Sequence, residues 1–118
     1  MSQRAPRIIV EELLENIQVI REYTEHLSAD AFFAQRMVQD AVVRRLEILG
    51  EAANQLPVEW KDQHAEVPWR IITGMRNRLI HGYFSIDLSL VWGTITRDLP
   101  PLEQQLRQFA QQEPPEEA

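Results

Sequence analysis

Apolar residues recur along this chain at the three-and-four spacing of amphipathic helices, and four helical segments account for nearly all of it. The first is predicted over residues 7–26, where Ile9, Leu13, Ile17 and Ile20 make one stripe. Ser28 suits the N-cap of a short turn over 29–32, because its hydroxyl can accept from an amide that the turn leaves unpaired. The second long helix is predicted over 34–56, and Pro57 ends it. Its Val38, Val42, Leu46, Leu49, Ala53 and Leu56 lie close to a heptad seam, which serves either an intrachain core or a dimer contact.

Residues 58–67 read as a loop with one short turn around Trp60. Pro68 fits the first position of a third helix, where its missing N–H costs no bond. That helix is predicted over 68–81, with Gly82 in the left-handed position past its end. A last helix starts near Ser85 or Asp87 and carries Leu88, Trp92, Ile95, Leu99, Leu102, Leu106 and Phe109. Pro100-Pro101 should kink or break it. The pattern contains no strand, no repeat and no second domain. It predicts an all-α protein, a helix bundle formed by residues 1–112, followed by a disordered acidic tail over 113–118.

The third helix is where pattern and chemistry conflict. At 100° per residue, Trp69, Ile72, Met75, Leu79 and Ile80 fall on one apolar face, and Arg76 falls in its middle. A guanidinium there needs a carboxylate, for which Glu47 and Glu51 are candidates, or a cleft that receives an anionic ligand. Arg70, Gly74, Asn77 and His81 share a different face. A mid-helix glycine costs about 1 kcal/mol relative to alanine, so Gly74 suggests close approach of a ligand or of a neighbouring helix. Arg76 and His81 lie about 140° apart on a regular helix. They converge only if the helix opens near Gly82, if the arginine wraps round, or if a second chain completes the site.

Charge changes this picture in one place. The chain of 118 residues carries a net −6, which argues against coating nucleic acid by bulk electrostatics. Residues 67–86 contain no acidic side chain and three arginines, Arg70, Arg76 and Arg78. The rest of the chain holds nine basic and eighteen acidic side chains, a balance of −9. A small positive island of this kind can hold a phosphate or be an ordinary solvated stretch. There is no cysteine, which excludes disulfides and thiolate metal sites and suits a reducing cytoplasm. No signal-peptide core and no membrane span are expected. His26 and His64 stand alone in polar stretches and read as surface residues, and the acidic clusters lack a histidine at ligand spacing, so no metal site is expected.

Arg76-x4-His81-x-Tyr83, with Asn77 directly after the arginine, resembles the signature of the HEPN ribonucleases, the HepT-like toxins in particular. The segments 46–54 (LEILGEAAN) and 67–70 (VPWR) are similar to that family's second-helix motif and to its lead-in to the catalytic helix. The resemblance implies an antiparallel bundle of four to five helices that forms a homodimer, with the motif in a cleft at the dimer interface. It implies metal-independent cleavage of RNA without a cofactor, and pairing with a minimal nucleotidyltransferase antitoxin that can adenylylate Tyr83. In that setting His81 is the general acid or base, Arg76 grips the scissile phosphate, Asn77 orients either, and Arg70, Arg78 and Tyr83 contact the RNA. Two other readings stand beside it: a non-catalytic HEPN module that binds a nucleotide or a partner, and a purely structural helical dimer.

Overall fold

The computed structural model describes residues 4–75, 77 and 86–112. Helix α1 spans Pro6–Thr24 and buries Ile9, Val10, Leu13, Ile17 and Ile20, the predicted stripe widened by Val10. Proline at its first position gives up no helical bond. Two polar residues join the buried side, and both are satisfied within reach. Asn16 donates to the Glu12 carbonyl at 2.9 Å and accepts from Arg45 of the third helix at 3.2 Å. The Thr24 hydroxyl donates to the Ile20 carbonyl at 2.8 Å. The helix stops before the predicted His26, where Leu27 N–H turns back to the Thr24 carbonyl at 2.9 Å.

Helix α2 spans Ala29–Phe33, and the Ser28 hydroxyl caps it by accepting from the Ala31 amide at 3.1 Å. Phe32 is fully buried and packs on Trp92 with ring centroids 5.1 Å apart. Helix α3 spans Arg36–Asn54, shorter at its start than predicted because Gln35 is extended at φ −116°, ψ 92°. Val42, Leu46, Leu49 and Ala53 are buried within this one chain, and α3 lies along α1. The near-heptad stripe is therefore core; the alternative that kept it for a dimer seam loses its basis.

Residues 58–67 are more regular than the sequence suggested. Helix α3 ends at Asn54 with Gln55 as its C-cap, two residues before the predicted Leu56, and Pro57 stands at the N-cap of a six-residue helix α4, Val58–Gln63. Helix α5, Trp69–Thr73, begins one residue after Pro68, which sits outside it with ψ 71°. At the C-terminal side, Asp87 caps α6, Leu88–Gly93, by accepting from the Leu90 amide at 3.0 Å.

The expected break at Pro100-Pro101 takes a different form. A π-helical turn, Thr94–Asp98, joins α6 to α7, Leu99–Gln112, and the Leu99 N–H reaches back to the Thr94 carbonyl. Neither proline has an amide to donate, and each ring would crowd the carbonyl four residues earlier in a regular helix. Widening the turn just upstream removes that conflict and lets the helix continue. All regular elements among the described residues are helical, so the predicted all-α bundle holds. The tail 113–118 lies outside the described residues.

Candidate functional site

The predicted site begins on α5, whose position is fixed from one side. Trp69 and Ile72 are buried, as is Met75 beyond them. Trp69 N–H of the indole donates to the His64 carbonyl at 3.0 Å. That carbonyl belongs to an aromatic cluster: the His64 ring stacks on Trp60 at 4.0 Å and meets Phe109 of α7 edge-on at 4.8 Å. His64 Nδ1 lies 2.8 Å from the Trp60 carbonyl. His64 is thus a half-buried packing residue and corrects the expectation of a surface histidine. His26 is exposed, as expected. Gln105 of α7 adds a bond to the Glu66 carbonyl at 3.0 Å, so α7 clamps the lead-in to α5 at two points.

Helix α3 fixes α5 from the other side through Gly50. A Cβ at Gly50 would lie 3.0 Å from the Ile72 carbonyl oxygen and 3.7 Å from that of Thr73. Only a residue without a side chain lets the α3 surface meet the end of α5 this closely. Gly50 is a positioning residue that the periodicity missed. Its signal was present in 46–54, where a glycine interrupts the inward side of an otherwise strong helix.

The continuous third helix predicted over 68–81 is interrupted. Helix α5 ends at Gly74, at φ −90°, ψ 6°, and Met75 and Asn77 are helical again. The Gly74 amide still closes on the Arg70 carbonyl at 3.1 Å. A Cβ at Gly74 would meet that same Arg70 carbonyl at 3.1 Å and no other element among the described residues. Gly74 accordingly serves its own turn, and the close approach of a neighbouring helix is not seen there among the described residues.

The polar side of this segment faces outward. Arg70 and Asn77 are exposed, and Ile71 is 47% exposed although it is aliphatic. Arg76, Arg78, His81, Gly82 and Tyr83 lie outside the described residues, as do Leu79 and Ile80. The structure therefore places Arg70 and Asn77 of the predicted site on the exposed surface of a segment anchored by Trp69, Ile72 and Met75. Among the described residues, no group of three or more histidine, cysteine, aspartate or glutamate side chains is placed to hold a metal, and no helix is long and apolar enough to cross a membrane.

A second polar cluster went unpredicted. Glu103 of α7 is buried and accepts from Arg107 Nη2 at 2.9 Å, and it pairs with Arg21 of α1. Its signal was its place on the Leu99, Leu102, Leu106 stripe, where an ionised carboxylate demands a cation. The triad ties α1 to α7 and lies away from α5.

The profile of the family described as "Ribonuclease HepT-like" matches residues 13–109. The chain is 37% identical over 110 residues to a Caldanaerobacter subterraneus protein named "Putative RNase TTE0752", covering 93% of this chain and 98% of that one. It is 38% identical over 101 residues to the "Probable ribonuclease HepT" of Thermococcus cleftensis, covering 86% and 92%. It is also 40% identical over 100 residues to a Methanocaldococcus jannaschii protein named "Gamma-glutamylcyclotransferase and putative RNase MJ0434", covering 85% of this chain but 45% of that longer protein. No solved structure matches the chain.

Proposed function

This chain belongs to the HepT-like ribonuclease family, and from that premise we propose that it is a metal-independent endoribonuclease, the toxin of a toxin–antitoxin pair. The observation that carries the reading is the order of residues in the motif segment: an arginine-asparagine pair, a histidine and a tyrosine within 76–83, in a stretch without a carboxylate. The anchored start of that segment, with Arg70 and Asn77 exposed beside it, is compatible with an RNA-facing surface.

In this reading the ribose 2′-oxygen attacks the adjacent phosphorus, and the bond to the 5′-oxygen breaks. One proton leaves the 2′-hydroxyl and one reaches the departing 5′-oxygen. His81 carries one of these transfers, since imidazole titrates near neutrality. Arg76 presents its planar fork to the phosphate, whose charge grows in the transition state. Asn77 orients the histidine or the phosphate. Tyr83 contacts the RNA and is also the acceptor for an adenylyl group, which a minimal nucleotidyltransferase antitoxin attaches. The added negative bulk there would repel RNA. The homodimer supplies what one straight helix lacks, because Arg76 and His81 diverge by about 140° around a regular helix.

The test is expression of wild type and His81→Ala without any partner. Wild type should arrest growth and leave RNA ends with 2′,3′-cyclic phosphates, while His81→Ala loses about 10²- to 10⁴-fold in cleavage rate. Equal behaviour of two folded proteins would overturn the catalytic reading and favour the non-catalytic HEPN module. Peptide mass analysis after co-expression with a minimal nucleotidyltransferase should place adenylyl units on Tyr83; an unmodified tyrosine rejects that mode of control.

A further inference from the structure

A groove of about 840 Å³ runs between α4 and α5, within the volume range of about 300–1,000 Å³ typical of small-ligand sites. Val58, Lys61 and Asp62 line it from α4, and Arg70, Ile71 and Gly74 from the α5 segment. Two features set it apart from ordinary surface. Val58 and Ile71 are 65% and 47% exposed, aliphatic side chains that the core does not use. Neither Lys61 nor Arg70 has an ion-pair partner among the described residues, although carboxylates are abundant elsewhere in this acidic chain.

We propose that this groove is a subsite for single-stranded RNA, holding the nucleotides that flank the cleaved phosphate. Val58 and Ile71 take the apolar face of a base, and Lys61 and Arg70 take phosphate oxygens. Asp62 can accept from an exocyclic amine on a base edge. The inference rests on the ribonuclease reading and extends it from the motif to substrate length. Position supports it: Arg70 lines the groove, and the exposed Asn77 follows seven residues later, past the break at Gly74, so the groove adjoins the start of the motif segment. Composition favours RNA over a protein occupant. Two cations face one carboxylate, and the tryptophan that lines the groove, Trp69, is only 8% exposed and donates to the His64 carbonyl, so it offers no free aromatic anchor to a protein partner.

The probe is a six-nucleotide 2′-O-methyl RNA, which lacks the attacking hydroxyl and stays intact. Titrated into the ¹⁵N-labelled full chain, it should move the amide signals of Val58, Lys61 and Ile71. In Lys61→Ala, the slope of log affinity against log salt should fall by about 0.7, the share of one phosphate contact on a single strand. Unmoved α4 amides, or an unchanged salt slope, overturn the groove; a groove that serves a protein partner gives that same negative result. The cleavage arm compares kcat/KM for a six-nucleotide RNA with that for a dinucleotide, and the ratio should drop several-fold in Lys61→Ala and Ile71→Ser. Absence of cleavage by the wild type counts against the ribonuclease reading, and the binding arm still decides the groove by itself.

Discussion

Arg21 and Arg107 close on the buried carboxylate of Glu103, whereas Lys61 and Arg70 line an open groove and, among the described residues, pair with no carboxylate. Both sets of cations sit at the edge of the same helical core. They differ in what the apolar stripe beneath them contains. On α7, Glu103 falls between Leu102 and Leu106 on the inward side. A carboxylate in that position must be paired, so it recruits one cation from its own helix and one from α1. On α5, the inward positions are Trp69 and Ile72, with no charge to satisfy. The neighbouring cations are left to solvent or to a ligand. A positive side chain therefore says little by itself; the carboxylate that the fold does or does not bring to it decides whether it is structure or site.

The widest separation of the two regions should come from the stripe that holds Glu103. Leu106 is 1% exposed, and Leu106→Ala should cost about 2–5 kcal/mol, the loss of buried methylenes plus a cavity. Urea unfolding measures it. A cost near zero would mean that the α1–α7 contact is loose, and the contrast with the open groove would then lose its foundation.

Gly50→Ala probes the other region through its anchor. The new Cβ would stand 3.0 Å from a backbone oxygen of α5, a contact that only a backbone shift relieves, at about 1–3 kcal/mol. Because that shift displaces the segment leading to Asn77, RNA cleavage per folded molecule should fall as well. Unchanged activity at reduced stability would show that the α3–α5 contact is structural alone.

The long helices were legible because burial on one face forces a periodicity that a single strand of text displays. Ile9, Leu13, Ile17 and Ile20 on α1, and Val42, Leu46 and Leu49 on α3, are inside as their spacing requires. Local chemistry was legible too, since Ser28 and Asp87 cap helices with their own side chains. Misreadings arose where distant residues decide. The short turn expected around Trp60 is present but longer, as helix α4, because packing of Trp60 and His64 against Phe109 orders that region. The break at Gly74 and the π turn before Pro100 depend on carbonyl geometry that spacing does not encode. Of the candidate site, Arg70 and Asn77 stand exposed on the segment that composition singled out, and the rest of the motif lies outside the described residues. The pairing of Arg21 with Glu103 joins opposite ends of the chain and had no local signature.

The finest test sets the two charge clusters directly against each other. Glu103→Gln keeps the shape of the side chain and removes the charge that Arg21 and Arg107 share. Because those arginines are 41% and 51% exposed, water screens part of the loss, and the expected cost is about 1–2 kcal/mol. Raising salt should weaken the wild-type triad and narrow the gap between the two proteins. Lys61→Ala removes a cation that no carboxylate of the described fold engages, so stability should change by no more than about 0.5 kcal/mol. Its effect belongs instead to RNA binding. Should Lys61→Ala destabilise the fold as much as Glu103→Gln, Lys61 is a structural cation like Arg21. The distinction between paired and open clusters would then fail at its most exposed point, whatever the RNA measurements show.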